Sequence, residues 1–446
     1  MRLSELANWL NVPCTRDVDV QGVSIDTRHL LPHQMFVAFP GEKVDGHDFA
    51  AQAVEKGAAA IMVNRYLPEL NIPQLLVNDS FEALTRLAHC YRQRLTCKVL
   101  ALTGSNGKTS VKEMLSNILP QPSFASKGNF NNHLGVPINI LNVPEDCQYA
   151  VFELGANQKG DIAYTAGMVK PDVALINNIG PAHLGGFGSI DGVANAKGEI
   201  YDALNSRGVA IVNDDDAYGH FWDKQLLDIQ VLRYSSQRPA DVWATDIVQF
   251  PEGCFRFQLH LSHQQYQIEL RVPGRHQVQN ALAAATMAFA LNVPFEHIVQ
   301  GLQQFRGVMG RLNVLVGQHQ ATVIDDTYNA NLASVRAGIE VLAHRQGQKI
   351  LVIGDLAELG EYVETQHMEI GKIAKQFGID KLFAVGKSTP LSVAAFGDGG
   401  VHFTSQHELV QHLRKCLNKE VNVLVKGSRS SRMEDIVRQI SEKISS

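Results

Sequence analysis

The sequence has little of what would mark a chain for export, a membrane or nucleic acid. Cysteine is sparse: Cys14, Cys90, Cys97, Cys147, Cys254 and Cys416 stand far apart with no Cys-x-x-Cys pair. That spacing excludes a dense disulfide framework or a zinc ribbon and leaves reduced, mostly buried thiols as the expectation. Lys and Arg form no basic run and the formal charge is only -5, so no nucleic acid or anionic membrane surface is expected as a partner. The longest apolar run, Ala281 to Leu291, falls well short of the roughly 20 residues needed to span a bilayer. Met1 to Pro13 carries Glu5 and Asn8 inside a short apolar pattern, which reads as an amphipathic helix rather than an export signal. Internal repeats and low-complexity linkers are also missing. A soluble, cytoplasmic protein without membrane insertion is the expectation.

What is present is length and α/β patterning. At 446 residues the chain exceeds one ordinary domain, and about two to four compact units are expected. Residues 1–85 alternate short strand-like runs (Val20 to Ile25, Met35 to Phe39) with helical stretches such as Phe49 to Gly57, as a small α/β domain does. Asp79 opens a helix, with Glu82 three residues on and the run Leu84, Leu87, Ala88, Tyr91 behind it. Residues 86–310 carry buried strands at Tyr149 to Leu154, Val173 to Ile179 and Val209 to Asn213, then alternation between Asp241 and Val272. This predicts a mostly parallel sheet covered by helices, with an antiparallel hairpin attached. Residues 311–446 place strands Ile350 to Ile353, Lys381 to Val385 and Val421 to Val425 between helical segments, the pattern of a Rossmann-like domain. The fold class is therefore α/β in three domains.

The strongest chemical signal is Val99-Leu-Ala-Leu-Thr-Gly-Ser-Asn-Gly-Lys-Thr-Ser110, a buried strand, a Gly-containing loop and a helix starting near Lys108. Backbone N–H groups of such a loop cradle phosphates, Lys108 reaches the β- and γ-phosphates, and the Thr109 hydroxyl sits on magnesium. Leu102 stands where the general phosphate-loop pattern has its first Gly. Glu153, at a strand end in a parallel sheet, is the candidate carboxylate for the metal; a solvated strand-end Glu is the bland alternative. His183 lies in a Gly-rich loop, and with 17 histidines in the chain most must be structural or exposed. Lys197, on a helix Asp191 to Leu204, reads as a surface lysine or a group that neutralises phosphate. Gly274-Arg-His-Gln-Val-Gln-Asn280 and Val323-Ile-Asp-Asp-Thr-Tyr-Asn-Ala-Asn331 are polar constellations. The second ends an apolar run with two carboxylates, and a strand-end Asp can accept from a ribose or an ammonium, while by themselves both could be turn chemistry.

Together these motifs resemble the Mur ligase superfamily along essentially the whole chain. The family's phosphate loop itself lacks the first Gly, so Gly104, Ser105, Asn106, Gly107, Lys108, Thr109 and Ser110 fit it. The resemblance implies a catalytic group of Lys108, Glu153, His183 and Lys197. Thr109, Glu153, His183 and Lys197 would hold magnesium, two ions in all, with Lys197 carbamylated into an anion. Asn280, Arg311 and Asp326 would surround the adenine, phosphates and ribose of ATP.

Ser24-Ile-Asp-Thr-Arg28, Asp45-Gly-His-Asp48, Lys127-Gly-Asn-Phe-Asn-Asn132, Asp325-Asp-Thr-Tyr-Asn-Ala-Asn331, Gly354-Asp-Leu-Ala-Glu-Leu-Gly360 and Lys426-Gly-Ser-Arg429 are similar to the branch that adds D-alanyl-D-alanine to a UDP-muramoyl-tripeptide. Ser24, Asp26, Thr27, Arg28, Asp45 and His47 would then bind the UDP moiety. Asn131 and Asn132 would meet the muramoyl-peptide, and Tyr328, Asn329 and Asn331 the substrates at the C-terminal domain. Gln277 stands where the branch usually has Asn, and Leu332 where it usually has Pro. A monomer that cleaves ATP to ADP and phosphate through an acyl phosphate is implied. The competing readings are another ligase of the superfamily, amino-acid-adding or folylpolyglutamate-forming, and a nucleotide switch that performs no ligation.

Overall fold

Runs of Val, Ile and Leu covered on both faces favour parallel strands. The structure, a computed structural model, describes residues 1–41, 44–181 and 184–442, and three sheets form among them. The first sets Val23–Ser24, Met35–Val37, Ala60–Val63 and Gln74–Leu76 side by side, all parallel. The helix Ser80–Arg94 leads onward from it, capped by Asp79, whose carboxylate accepts from the N–H groups of Phe81 (2.7 Å) and Glu82 (3.0 Å). The apolar face of that helix, Leu84, Leu87, Ala88 and Tyr91, belongs to a core that runs on from the first sheet to one face of the second.

The second sheet is built around Lys98–Thr103, flanked by Tyr149–Glu153 and Val173–Ile176. Ser123–Ala125 adds at one side; Val209–Asn213, Gln230–Ser235 and Val242–Gln249 extend the other, still parallel. Phe255–Leu261 and Gln264–Glu269 then close that side as the expected antiparallel pair. The helix His276–Ala290 is buried along most of its length beneath this sheet. It begins five residues before the apolar run Ala281 to Leu291 noted in the sequence.

In the third sheet, Thr322–Asp326, Val421–Lys426, Gln348–Gly354, Lys381–Val385 and Gly400–Phe403 run parallel, with Asn313–Val316 antiparallel at the edge. Helices Leu332–Ala343 and Val363–Gln376 cover one face; Gln406–Arg414 and Glu434–Ile440 cover the other. Register fixes the chemistry. Leu102 pairs with Glu153, setting that carboxylate beside the phosphate loop, and Asp326 pairs with Lys426 at the end of the third sheet.

Candidate active site

Where parallel strands end, side chains from neighbouring loops converge. At the end of Lys98–Thr103 the chain turns through Gly104 (φ 153°) and Gly107 (φ 80°) into the helix Lys108–Ile118. A Cβ at Gly107 would lie 2.4 Å from Asn280 Oδ1 and 2.5 Å from Asn177 Nδ2, so glycine is required there by both space and backbone conformation. Those two amides are themselves bonded, Asn177 Nδ2 donating to Asn280 Oδ1 at 3.0 Å, and Asn280 Nδ2 donates to Gln277 Oε1 at 3.0 Å. Gln277, the departure from the family pattern, thus sets the orientation of Asn280 with its longer arm.

The Lys108 ammonium donates to the Gly104 carbonyl at 2.7 Å, curled over the loop. Burial lowers its pKa; the Glu153 charge opposes that and the Arg311 charge adds to it. Thr109 Oγ1 donates to Glu153 Oε2 at 2.8 Å and accepts from Arg311 at 2.8 Å, while Asn131 Nδ2 donates to Glu153 Oε1 at 3.0 Å. Lys197, for which the sequence left a surface lysine and a phosphate-neutralising group both open, is 3% exposed, so the surface reading is set aside. Burial, reinforced by the charge of Lys108, drives its pKa far below the ordinary lysine value. Among the described residues its ammonium has no hydrogen-bond acceptor. His183 lies outside the described residues.

The third sheet supplies the opposite wall. Lys426 Nζ sits 2.6 Å from Asp326 Oδ2 and donates to the Asn329 carbonyl at 3.0 Å. Burial raises the Asp326 pKa, with Lys426 and Arg311 pulling the other way. The Arg311 guanidinium lies 4.2 Å over the Tyr328 ring, and its buried Nε has no partner among the described residues, a donor left for an anion. Asn331 caps the helix Leu332–Ala343 through a capping box with Ser334 and reaches across to Asn106 Oδ1 at 2.9 Å. Leu332 therefore opens a capped helix, and that cap orders the turn without the fixed φ of a proline.

Most of these groups face one cleft of about 1170 Å³, lined by Ser105, Asn106, Lys108, Ser110 and Asn132 together with Gly104, Gly107, Asn131, Glu153, Lys197, Gln277, Asn280, Arg311, Asp326, Tyr328, Asn329 and Asn331; Thr109, Asn177 and Leu332 are not part of its lining. Residues not proposed from sequence as site residues also share it, among them His276, Lys426 and Arg429. His276 is pushed down to about 4 by burial and the Lys426 charge. Lys426 and Arg429 stand in a motif already noted; His276 carried no signal beyond its neighbours. The N-terminal group does not line the cleft. Arg28 pairs with Asp26 at 2.7 Å, Ser24 Oγ meets the Asp26 backbone, and Thr27 Oγ1 donates to Gln52 at 2.5 Å. His47 is buried 2.6 Å from Asp45, which also takes Arg65 at 2.6 Å. These residues form two polar clusters on the first sheet.

The donor set suits magnesium. Glu153 and Thr109 offer hard oxygens beside a phosphate loop, and magnesium completes its octahedron with phosphate oxygens and water. No group of three His, Cys, Asp or Glu able to cage a metal occurs among the described residues, so substrate oxygens would share the coordination.

The chain matches three family descriptions in succession: Mur ligase family, catalytic domain at residues 19–90, Mur ligase middle domain at 102–288, and Mur ligase, glutamate ligase domain at 310–429. It is 41% identical to the UDP-N-acetylmuramoyl-tripeptide–D-alanyl-D-alanine ligase of Escherichia coli, covering 99% of this chain and 98% of that one. The enzyme of the same name from Bacillus subtilis is 34% identical, over 95% of this chain and 93% of its own. The fold matches a crystal structure of MurF from Acinetobacter baumannii with a TM-score of 0.87 at 37% identity, covering 98% and 97% of the two chains. It also matches the MurF ligase of Thermotoga maritima in complex with ADP with a TM-score of 0.79 at 26% identity, covering 94% and 96%. A phosphate loop, a carboxylate-hydroxyl pair and a basic wall from a third sheet, matched from end to end by such relatives, have one explanation: the chain belongs to the Mur ligase family.

Proposed function

We propose that the chain is the ATP-dependent ligase that joins D-alanyl-D-alanine to UDP-N-acetylmuramoyl-tripeptide, giving the pentapeptide precursor of peptidoglycan. The observation that carries this reading is the shared cleft, in which a phosphate loop from one sheet and the Tyr328-Asn-Ala-Asn331 wall from another face each other, in a chain similar throughout to ligases of that name. Domain limits at 1–85, 86–310 and 311–446 accompany the reading, and the enzyme acts as a monomer in the cytoplasm.

The tripeptide's terminal carboxylate oxygen attacks the γ-phosphorus and ADP leaves. The dipeptide amine then attacks the acyl carbon, phosphate departs with that oxygen, and the amine loses its proton. Lys108 and Arg311 offset the charge of the phosphates as two anions approach. Asn280 holds the base, Asp326 accepts from the ribose, and the loop N–H groups from Gly104 to Ser110 hold the phosphates. The clusters around Asp26 and Asp45 take the UDP end; Asn131 and Asn132 take the peptide, and Tyr328, Asn329 and Asn331 the substrates at the far wall. Glu153 and Thr109, with His183 and a modified Lys197, would hold two magnesium ions, which screen the phosphate oxygens when bound.

The carbamylation of Lys197 is supported by its burial. A neutral amine adds to carbon dioxide, forming the N–C bond, and sheds one proton to give the carbamate anion. With a tripeptide labelled with ¹⁸O in its terminal carboxylate, the released phosphate should carry one label. Unlabelled phosphate would refute the acyl-phosphate route.

A further inference from the structure

Lys112 is the most deeply buried lysine of the phosphate-loop helix, at 1% exposure, and nothing in the ligation reaction calls on it. Burying an ammonium costs several kcal/mol after relaxation; a methionine would fill the same space without that cost. A cation in this position is explained only by what it holds. Its Nζ donates to the Ser126 carbonyl at 2.7 Å and lies 2.9 Å from the half-exposed Glu113 carboxylate.

Ser126 is the hinge of this arrangement. Its N–H donates to the Val151 carbonyl at 2.8 Å, and its Oγ accepts from the Glu153 N–H at 3.0 Å. Beyond it runs the loop that returns Asn131 to Glu153 Oε1. The other Glu153 oxygen is held by Thr109, on the same helix as Lys112 and three residues before it. The helix therefore holds Glu153 at two points: its carboxylate directly through Thr109, and its backbone N–H through Lys112 and Ser126.

We propose that Lys112 is a positioning residue that, through Ser126, fixes Glu153 for its divalent cation. The inference rests on the reading of Glu153 as a metal-holding residue. Groups that orient a metal's carboxylate change metal affinity about 10- to 100-fold when removed. Removing the Lys112 donor should weaken cation binding and leave the phosphate loop's own grip on nucleotide in place.

The test is fluorescence titration of the purified full chain with the fluorescent analogue mant-ADP, in EDTA and across a magnesium series, for Lys112→Met, Ser126→Ala and Glu153→Gln. Lys112→Met and Ser126→Ala should each raise the half-saturating magnesium concentration about tenfold or more, with affinity in EDTA within about twofold of the parent. A Glu153→Gln shift with no shift in the other two overturns the inference alone. No shift in Glu153→Gln overturns the reading beneath it. An equal loss with and without magnesium would mark Lys112 as structural only. Should Lys112→Met fail to fold, Ser126→Ala decides, because it keeps the carbonyl that Lys112 grips and removes only the acceptor of the Glu153 N–H.

Discussion

Replacing Lys426 by methionine isolates the energetics of the cleft's far wall. The ammonium lies 2.6 Å from Asp326 Oδ2, with side-chain exposures of 2% and 11%, so the substitution strands a carboxylate that burial already penalises. Breaking one half of a buried pair costs about 3–5 kcal/mol, and that is the loss expected at pH 8. Asp326 can escape part of the penalty by binding a proton in the folded state. Its folded pKa would then stand well above its unfolded value, so the stability it retains is fully present below the unfolded pKa and is lost as pH rises through the folded one. Between those limits the variant should regain about 1.4 kcal/mol per pH unit as pH falls. Urea unfolding from pH 8 to pH 5, followed by circular dichroism, measures this. Lys426→Met paired with Asp326→Asn should lose the slope. A deficit of equal size at every pH in the single variant would refute the reasoning.

Gly107→Ala places a methyl group within 2.5 Å of the Asn177 and Asn280 amides at a φ of 80°. Strain and a broken buried hydrogen bond should together cost about 2–4 kcal/mol, with mant-ADP binding lost in titration. Lys197→Ala should abolish ligation, and depleting carbon dioxide from the parent enzyme should lower its rate until bicarbonate is restored; activity indifferent to bicarbonate would count against the carbamate. His276 stays neutral in the fold to about 4 but titrates near its ordinary value when unfolded. The stability it preserves is therefore full above about 6.5 and lost as pH falls toward about 4, by up to about 3 kcal/mol. His276→Gln should flatten that part of the stability-pH curve, measured by urea midpoints.

The phosphate loop was legible because its chemistry is local: strand, glycines, Lys108 and Thr109 are consecutive. Hydrophobic runs likewise gave Val209–Asn213 and Lys381–Val385 with the bounds observed. The strand Gln230–Ser235 escaped notice because its residues Gln, Arg and Ser dilute the apolar signal, and Ser123–Ala125 because three residues hold no period. Burial of Lys197 was illegible for a different reason. A lysine's environment is set by the sheet and loops packed over its helix, whereas the sequence around it, Ala196-Lys-Gly-Glu, reads as an ordinary helix face. Contacts such as Arg311 to Thr109 and Asn331 to Asn106 join positions more than 200 residues apart. Only the assembled sheets bring them together; the family resemblance named these residues but not their bonds. Asp26 and Asp45 stand apart from the cleft, beside the first sheet.

The central claim is tested most directly by supplying the purified protein with magnesium and ATP, adding UDP-N-acetylmuramoyl-tripeptide and D-alanyl-D-alanine singly and together, and following phosphate release and product mass. The account predicts release only with both substrates, one phosphate per joined product, a mass gain of one dipeptide residue, and loss of all of it in Lys108→Ala. ATP cleavage without a joined product, or joining of a single amino acid in place of the dipeptide, would contradict it.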